Sequence, residues 1–179
     1  MSFDAKAVAN FFLDLAEERG VPLTPMKLQK LVYYAHGWHL GLTGEPLIQE
    51  DVEAWPYGPV VTSLYHEFKH HGNNPIDTRA TVTEWPTGSR SFNLREVAAA
   101  LPDDQNTDYA RRLLARVWDA YGQWTAVQLS NATHESGTPW DQVWQRYKSI
   151  GVIPRHTKIP NESIRSAFEA EAAEGGVTR

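Results

Sequence analysis

The sequence is 179 residues long, carries a net charge of −5 and contains no cysteine. A chain of this length suits one domain that buries about 70% of its unfolded surface. The missing thiols exclude disulfides, thiolate zinc sites and a cysteine nucleophile, and the mild acidity argues against the long-range attraction most nucleic-acid binders use.

A first helix is expected from about Asp4 to Arg19. Val8, Phe11, Phe12 and Leu15 form its apolar stripe, and Gly20 ends it. Thr24 is a good N-cap and Pro25 suits the first position of a second helix. Leu28, Leu31, Val32, Ala35, Trp38 and Leu42 recur at spacings of three and four, so they share one face, with Gly41 and Gly44 as stop signals. Lys27, Gln29 and Lys30 read as a solvated face of this helix. His36 and His39, three apart, read as rings that pack and hydrogen-bond a carbonyl rather than as metal ligands. Leu47 to Trp55 reads as a strand and Trp55-Pro56-Tyr57-Gly58-Pro59 as a rigid aromatic turn. A third helix follows from Pro59 to His71, with Val60, Val61, Leu64, Tyr65 and Phe68 as its apolar set.

Beyond Asn73 the chain is turn-rich. Thr78 to Trp85 alternates enough for a strand, able to pair with Leu47–Trp55 in a small antiparallel sheet. Thr87 to Ser91 reads as a loop, and Phe92 to Leu101 is ambiguous. A fourth helix spans about Gln105 to Tyr121. Tyr109, Leu113, Leu114, Val117, Trp118 and Tyr121 lie on one side of it. Arg111, Arg112 and Arg116 form a basic strip on the other, placed to make ion pairs with helix 1 or the acidic 45–53 region. Thr125 and Gln128 form a capping box for a fifth helix that ends near His134. Thr138 and Pro139 start a sixth, with Asp141 in its first turn and Val143, Trp144 and Tyr147 pointing inward. Gly151 to Pro154 is extended, in the manner of a short edge strand. Asn161 caps a last helix to about Glu174, striped by Ile164, Ala167 and Phe168, and the tail from Gly175 to Arg179 is expected to be loose.

Two patterns mimic catalytic motifs. His66-Glu67-Phe68-Lys69-His70 reads HExxH, which on a helix puts two zinc ligands on one face with a general base between them. Here Gly72 to Pro75 ends the helix just behind it, and a third ligand would have to come from a distant residue such as Glu84 or Glu96. Ser130 and His134, four apart on one helix, lack a nucleophile elbow and an oxyanion donor. The helix C-terminus instead favours a His that hydrogen-bonds nearby carbonyls.

Three separated blocks resemble the Panacea domain, the family of SocA-like antitoxins and phage-associated GepA-like proteins. The first runs from Leu23 to Leu31, with Thr24, Pro25, Leu28 and Lys30, and continues into Tyr33-Tyr34-Ala35. The second is Glu53 to Val60, with Trp55, Pro56, Tyr57, Gly58 and Pro59. The third is Leu129-Ser130, Thr133-His134-Glu135 and Pro139-Trp140. The resemblance covers about residues 5–150. It implies an antitoxin that neutralises a co-encoded toxin by protein contact, either by occlusion or as an adaptor to a cytosolic protease. It implies no catalytic site and no cofactor.

The pieces predict a mainly helical α+β domain over residues 1–179. Five to six helices pack around an aromatic core with a small antiparallel sheet, the core unit spans about 5–150, and a C-terminal helix follows at about 161–174. Trp55, Tyr57 and Gly58 are the candidate toxin-binding residues. Leu28, Lys30, Leu31, Tyr34, Trp38, Pro59, Thr133, His134, Pro139 and Trp140 read as structural members of the motif. No metal site is expected. The partner is a toxin encoded nearby, the location is the cytoplasm, and no segment of about eighteen apolar residues offers a membrane span. Two other readings stand beside this one: a zinc-dependent hydrolase through the HExxH at 66–70, and a DNA-binding regulator using helices 1 and 2 as a helix-turn-helix.

Overall fold

The computed structural model describes residues 2–84 and 94–175. Helix α1 (Ala5–Arg19) is capped by Asp4, whose carboxylate accepts from Lys6 N–H, and is closed by Gly20 at φ 65°. Glu50 adds a second anion at this N-terminus, accepting from Ala5 N–H through both carboxylate oxygens at 3.0 and 3.1 Å. There it meets the positive end of the helix dipole. Helix α2 (Pro25–Thr43) starts on Thr24 and Pro25 and stops at Gly44, as the caps predict. Gly41 does not stop it.

The first sheet differs from the expected one. Strand β1 covers only Val52–Trp55, and β2 (Gly58–Val61) pairs with it antiparallel, Trp55 opposite Gly58 and Val52 opposite Val61. Pro56 and Tyr57 are therefore a two-residue hairpin turn. Pro59 lies in a strand rather than opening a helix. The tight turn keeps the chain extended until Val61, so α3 begins only at Thr62 and runs to Phe68. A short 3-10 turn, Lys69–His71, follows. Leu47 and Ile48 lie outside β1, and Ile48 bridges Phe3 in parallel instead.

The second ribbon joins β3 (Thr81–Glu84) to β4 (Arg95–Ala98), not to β1. Trp85 and the loop expected at Thr87–Ser91 lie outside the described residues. Asn10 of α1 ties the base of this ribbon down. Its amide donates to Ala80 O and Ala99 O and accepts from Ala80 N–H, at 2.8–2.9 Å. Helices α4 (Gln105–Tyr121), α5 (Ala126–Thr133) and α6 (Pro139–Tyr147) match their predicted spans, and both halves of the Thr125/Gln128 capping box are formed. Arg111 donates to the carbonyls of Leu101 and Pro102 rather than pairing with the acids expected for it. Residues 151–154 form a turn, not an edge strand; Lys158 makes the bridge to Glu53 instead. Helix α7 (Asn161–Ala173) closes the fold. The result is a mainly helical α+β architecture, with seven helices and two antiparallel two-stranded ribbons among the described residues.

Helix α2 is the axis of this assembly. Every residue from Lys27 to Leu40 is buried, not one face alone, while Leu42, read as part of the apolar stripe, is exposed. Helix α7 crosses α2 at Gly37 and Gly41. A methyl group at Gly37 would run into the Phe168 ring. One at Gly41 would lie 2.8 Å from the Phe168 carbonyl carbon and 3.0 Å from the Glu169 nitrogen. Both glycines are therefore sites of close approach rather than helix stops. Phe168 fills the space between Tyr33, Tyr34 and Trp38, edge-on to each ring at 5.3–6.1 Å.

This crossing generates a double-mutant test. Gly37→Ala is expected to destabilise the fold in urea titrations, and to cost less in a Phe168→Ala background, where the obstructing ring is gone. Gly41→Ala is expected to be additive with Phe168→Ala, because its obstacle is backbone. Separately, Trp38→Ala, which removes a fully buried ring and its Nε1–H bond to the Tyr121 hydroxyl, is expected to cost about 3–5 kcal/mol. An unchanged unfolding midpoint would refute the central placement of α2.

Candidate functional site

The β1–β2 hairpin is held by side chains from three helices, each reaching a different hairpin carbonyl. Trp140 Nε1–H of α6 donates to Trp55 O at 2.7 Å. His134, at the end of α5, places Nε2 3.1 Å from Pro56 O, and Ser130 Oγ–H donates to Tyr57 O at 3.0 Å. Lys30 Nζ of α2 donates to Pro59 O at 3.0 Å. Gln29 completes the set as a pseudo-strand: its amide donates to Val61 O and accepts from Val61 N–H. A two-stranded ribbon alone is marginal in water, so these bonds give it one conformation.

Gly58 is required at the corner. Its φ is 99°, and a Cβ there would sit 2.6 Å from Thr133 Oγ1 and 2.8 Å from Lys30 Nζ. Thr133 in turn donates to Ser130 O at 2.7 Å. The motif residues Lys30, Gly58, Pro59, Thr133, His134 and Trp140 thus converge on one clamp. Leu28, Leu31, Tyr34 and Trp38 lie in the core beside it, and Pro139 starts the helix that carries Trp140.

What the clamp presents outward is Tyr57, which is 75% exposed at the hairpin tip. Trp55 lies against the Tyr65 ring at 4.7 Å and donates its Nε1–H to Glu53 at 2.8 Å. A cleft of about 460 Å³ opens beside it, lined by Trp55, Pro56, His66, Val152, Ile153 and Pro154. Of the three candidate contact residues, then, Tyr57 projects, Trp55 borders a cleft, and Gly58 is a backbone requirement.

The catalytic look-alikes dissolve in this geometry. Helix α3 ends at Phe68, so His66 and His70 do not share one α-helical face, and Glu67 is paired with Lys6 at 2.7 Å. Among the described residues no three His, Asp or Glu side chains are grouped to hold a metal. Ser130 and His134 do not face each other as nucleophile and base: His134 Nδ1 meets the Ser130 carbonyl at 2.6 Å, while the Ser130 hydroxyl serves Tyr57. The face of α2 that would read a DNA groove is not on the surface. Lys27, Gln29 and Lys30 are 8%, 7% and 1% exposed, so the expected solvated face is interior. Lys27 donates to Gly122 O at 2.6 Å, capping the C-terminus of α4.

The chain's relatives agree with the motif blocks. Residues 28–141 match the family model described as "Antitoxin SocA-like, Panacea domain". The chain is also 36% identical over 142 residues to Antitoxin SocA of Caulobacter vibrioides, an alignment covering 79% of this chain and 71% of that protein. It belongs to the SocA-like Panacea family. No solved structure matches it. The Panacea match contains the whole clamp, from Lys30 to Trp140, and leaves out α1 and α7. Among the described residues no helix is long and apolar enough to cross a membrane.

The three sequence blocks contain the residues that meet at the hairpin but carry little sign of the burial of their polar atoms. Helix α2 carries only two charged residues in nineteen, Lys27 and Lys30, and that scarcity is the available signal of a helix surrounded on all sides. The two histidines do pack and hydrogen-bond. His39 Nδ1 lies 2.7 Å from Glu45 O. His36, fully buried, meets Asn161 Oδ1 through Nε2 at 3.0 Å and accepts the Ile48 N–H on Nδ1. This pair of contacts selects the neutral Nε2–H tautomer.

Burial pushes the Lys30 amine down to about 7 and the His36 imidazole down to about 4, in the latter case against the opposing Asn161 hydrogen bond. Both folded values lie below the unfolded ones, so the unfolded chain binds more protons and stability rises with pH through each window. For His36 the window is from 4 to 6.5, and for Lys30 from 7 towards 10.5. Chemical denaturation of wild type is expected to show stability increasing between about pH 7 and pH 9.5, below the range where tyrosines ionise. Lys30→Met should flatten that slope, leaving the part due to Lys27, whose amine burial also pushes down. A slope unchanged in Lys30→Met would contradict the buried, neutral amine.

Proposed function

We propose that this chain is an antitoxin that neutralises a cognate toxin, encoded nearby, by direct protein contact, with the Trp55–Gly58 hairpin tip as part of the contact. Family membership supports the antitoxin role. The observation that carries the contact is Tyr57: a large aromatic side chain, 75% exposed, on a hairpin whose carbonyls at 55, 56, 57 and 59 are all engaged by side chains. A rigid exposed aromatic loses little entropy on binding, and such residues supply most interface hot spots. The cleft beside Trp55 offers a complementary recess for a toxin side chain, with Val152, 59% exposed, extending its apolar rim.

Stoichiometric occlusion in the cytoplasm is the mechanism a pre-formed contact of this kind favours. Delivery of the toxin to a cytosolic protease would use the same contact but leave a different trace: the toxin would disappear rather than accumulate in a stable complex.

The test is co-expression with the protein encoded next to this chain, read by growth, co-purification and toxin level. The neighbour is expected to arrest growth alone and to be harmless and bound in the presence of this chain. Tyr57→Ala is expected to weaken that complex by about 30-fold or more, the scale of a hot spot, with no change in melting temperature. A neighbour that is harmless by itself would refute the antitoxin reading. Full affinity in Tyr57→Ala would move the contact away from the hairpin.

A further inference from the structure

On the far side of the α5–α6 turn lies an open groove of about 500 Å³ that the hairpin contact does not use. Tyr33 and Tyr34 of α2 and Tyr121 of α4 contribute its aromatic lining. Tyr34 and Tyr121 stack at 4.4 Å between ring centres, and Trp124 meets Tyr121 edge-on at 5.7 Å. Two carboxylates stand at the rim, Glu135 just beyond α5 and Glu171 on α7.

Three features of this groove are unspent within the fold. Tyr33 and Tyr34 are only 3% and 8% exposed and front the groove, yet neither hydroxyl has a hydrogen-bond partner among the described residues. Tyr121 accepts the Trp38 Nε1–H at 3.0 Å, which leaves its own proton uncommitted. Among the described residues neither Glu135 nor Glu171 has an ion-pair partner. Their mutual repulsion is felt: burial pushes the Glu171 carboxyl up, and Glu174 and Glu135 push it further. Burial above all holds the three phenols above their ordinary value; a neighbouring tyrosine adds to this at Tyr33 and Tyr34, and the Glu171 charge contributes a smaller push at each. The groove therefore combines π faces, phenol oxygens and two carboxylates that no cation pairs with among the described residues.

That chemistry selects its ligand. An anion would be repelled by both carboxylates. A purely apolar group would strip water from the phenol hydroxyls and leave them unpaired. A guanidinium satisfies all three features, stacking on ring faces, donating to phenol oxygens and pairing with a carboxylate in plane. An ammonium matches less well, being strongly hydrated and not planar. The groove is open and lined from four elements, α2, α4, the α5–α6 turn and α7, so it accommodates a side chain carried on a passing strand. The chain's net charge of −5 draws basic segments toward it.

We propose that this groove binds an arginine side chain presented on an extended basic segment of a protein partner. The proposal rests on the reading that the chain works by protein contact, but not on the hairpin being that contact.

The experiment titrates the ¹⁵N-labelled full chain with acetyl-Gly-Arg-Gly-amide, with its lysine and citrulline counterparts, and with free arginine. The arginine peptide is expected to give saturable shifts at the Trp124, Gly137 and Glu171 amides, with a dissociation constant on the order of 1 mM. Binding should be at least about fivefold weaker for the lysine peptide, for free arginine, and for the double variant Glu135→Gln/Glu171→Gln, and should be lost with the uncharged citrulline peptide. Among the described residues the rim carboxylates make no hydrogen bond or ion pair within the fold, so the double variant should keep its remaining spectrum, which reports its fold directly. Tyr34→Phe, which keeps the stacked ring and removes the hydroxyl, should weaken binding while leaving the spectrum of the core intact.

No saturable shift with the arginine peptide would overturn the site. Equal binding of citrulline, or no loss in the double variant, would overturn its electrostatic basis. Equal binding of lysine would overturn the guanidinium assignment, and equal binding of free arginine would overturn the partner segment in favour of a small molecule. None of these results alters the co-expression outcome, so the two readings fail separately.

Discussion

Helix α2 has neighbours on every side, so its polar side chains need partners that water would otherwise supply. Five of them find these partners in other parts of the chain. Lys27 reaches the end of α4, Gln29 and Lys30 reach β2, His36 reaches the start of α7, and His39 reaches the loop after its own helix. Apolar packing alone would let neighbouring elements slide against α2. The directed bonds fix where each one docks, and most of them end on backbone carbonyls, so they specify chain path more than side-chain identity.

The hairpin is the clearest product of that constraint. Two four-residue strands with a two-residue turn have little stability of their own. Donors from α2, α5 and α6 converge on them because Gly58 lets the backbone approach Lys30 and Thr133 more closely than any other residue would. The same arrangement explains why the motif is split into three blocks far apart in the chain: one supplies the carbonyls, and the other two supply the donors. It also separates two roles within the Trp55–Gly58 segment. Backbone and glycine belong to the clamp, and the Tyr57 ring is left free of it.

Much of this is legible in the sequence. The caps at Thr24, Thr125 and Thr138 and the Pro at N1 of α2 and α6 set helix starts correctly, because capping depends on residues within one turn. Local rules fail where distant contacts decide. Pro59 reads as a helix start by local rules, yet pairing with Ala54 keeps it extended. Gly41 reads as a stop, yet the Phe168 backbone on its surface makes it a contact point inside a continuous helix. Lys27, Gln29 and Lys30 read as solvated because long polar residues usually are. Their burial depends on carbonyls that β2 and α4 bring from elsewhere, which no window of neighbouring residues contains. The candidate site shows the same split: its residue list was readable in the three blocks, and its wiring was not.

The crossing of α7 over Gly37 and Gly41 has a consequence for biosynthesis. Helix α2 is complete by Thr43, but the ring that covers its two glycines arrives only with Phe168. More than a hundred residues are added while the centre of the fold lacks its last wall. Pairings of such long sequence separation are slow to form, and open cores are what chaperones and proteases recognise. A nascent chain that stalls before residue 168 would therefore display an unfinished interior around Trp38, marking it for removal before it could occupy a partner.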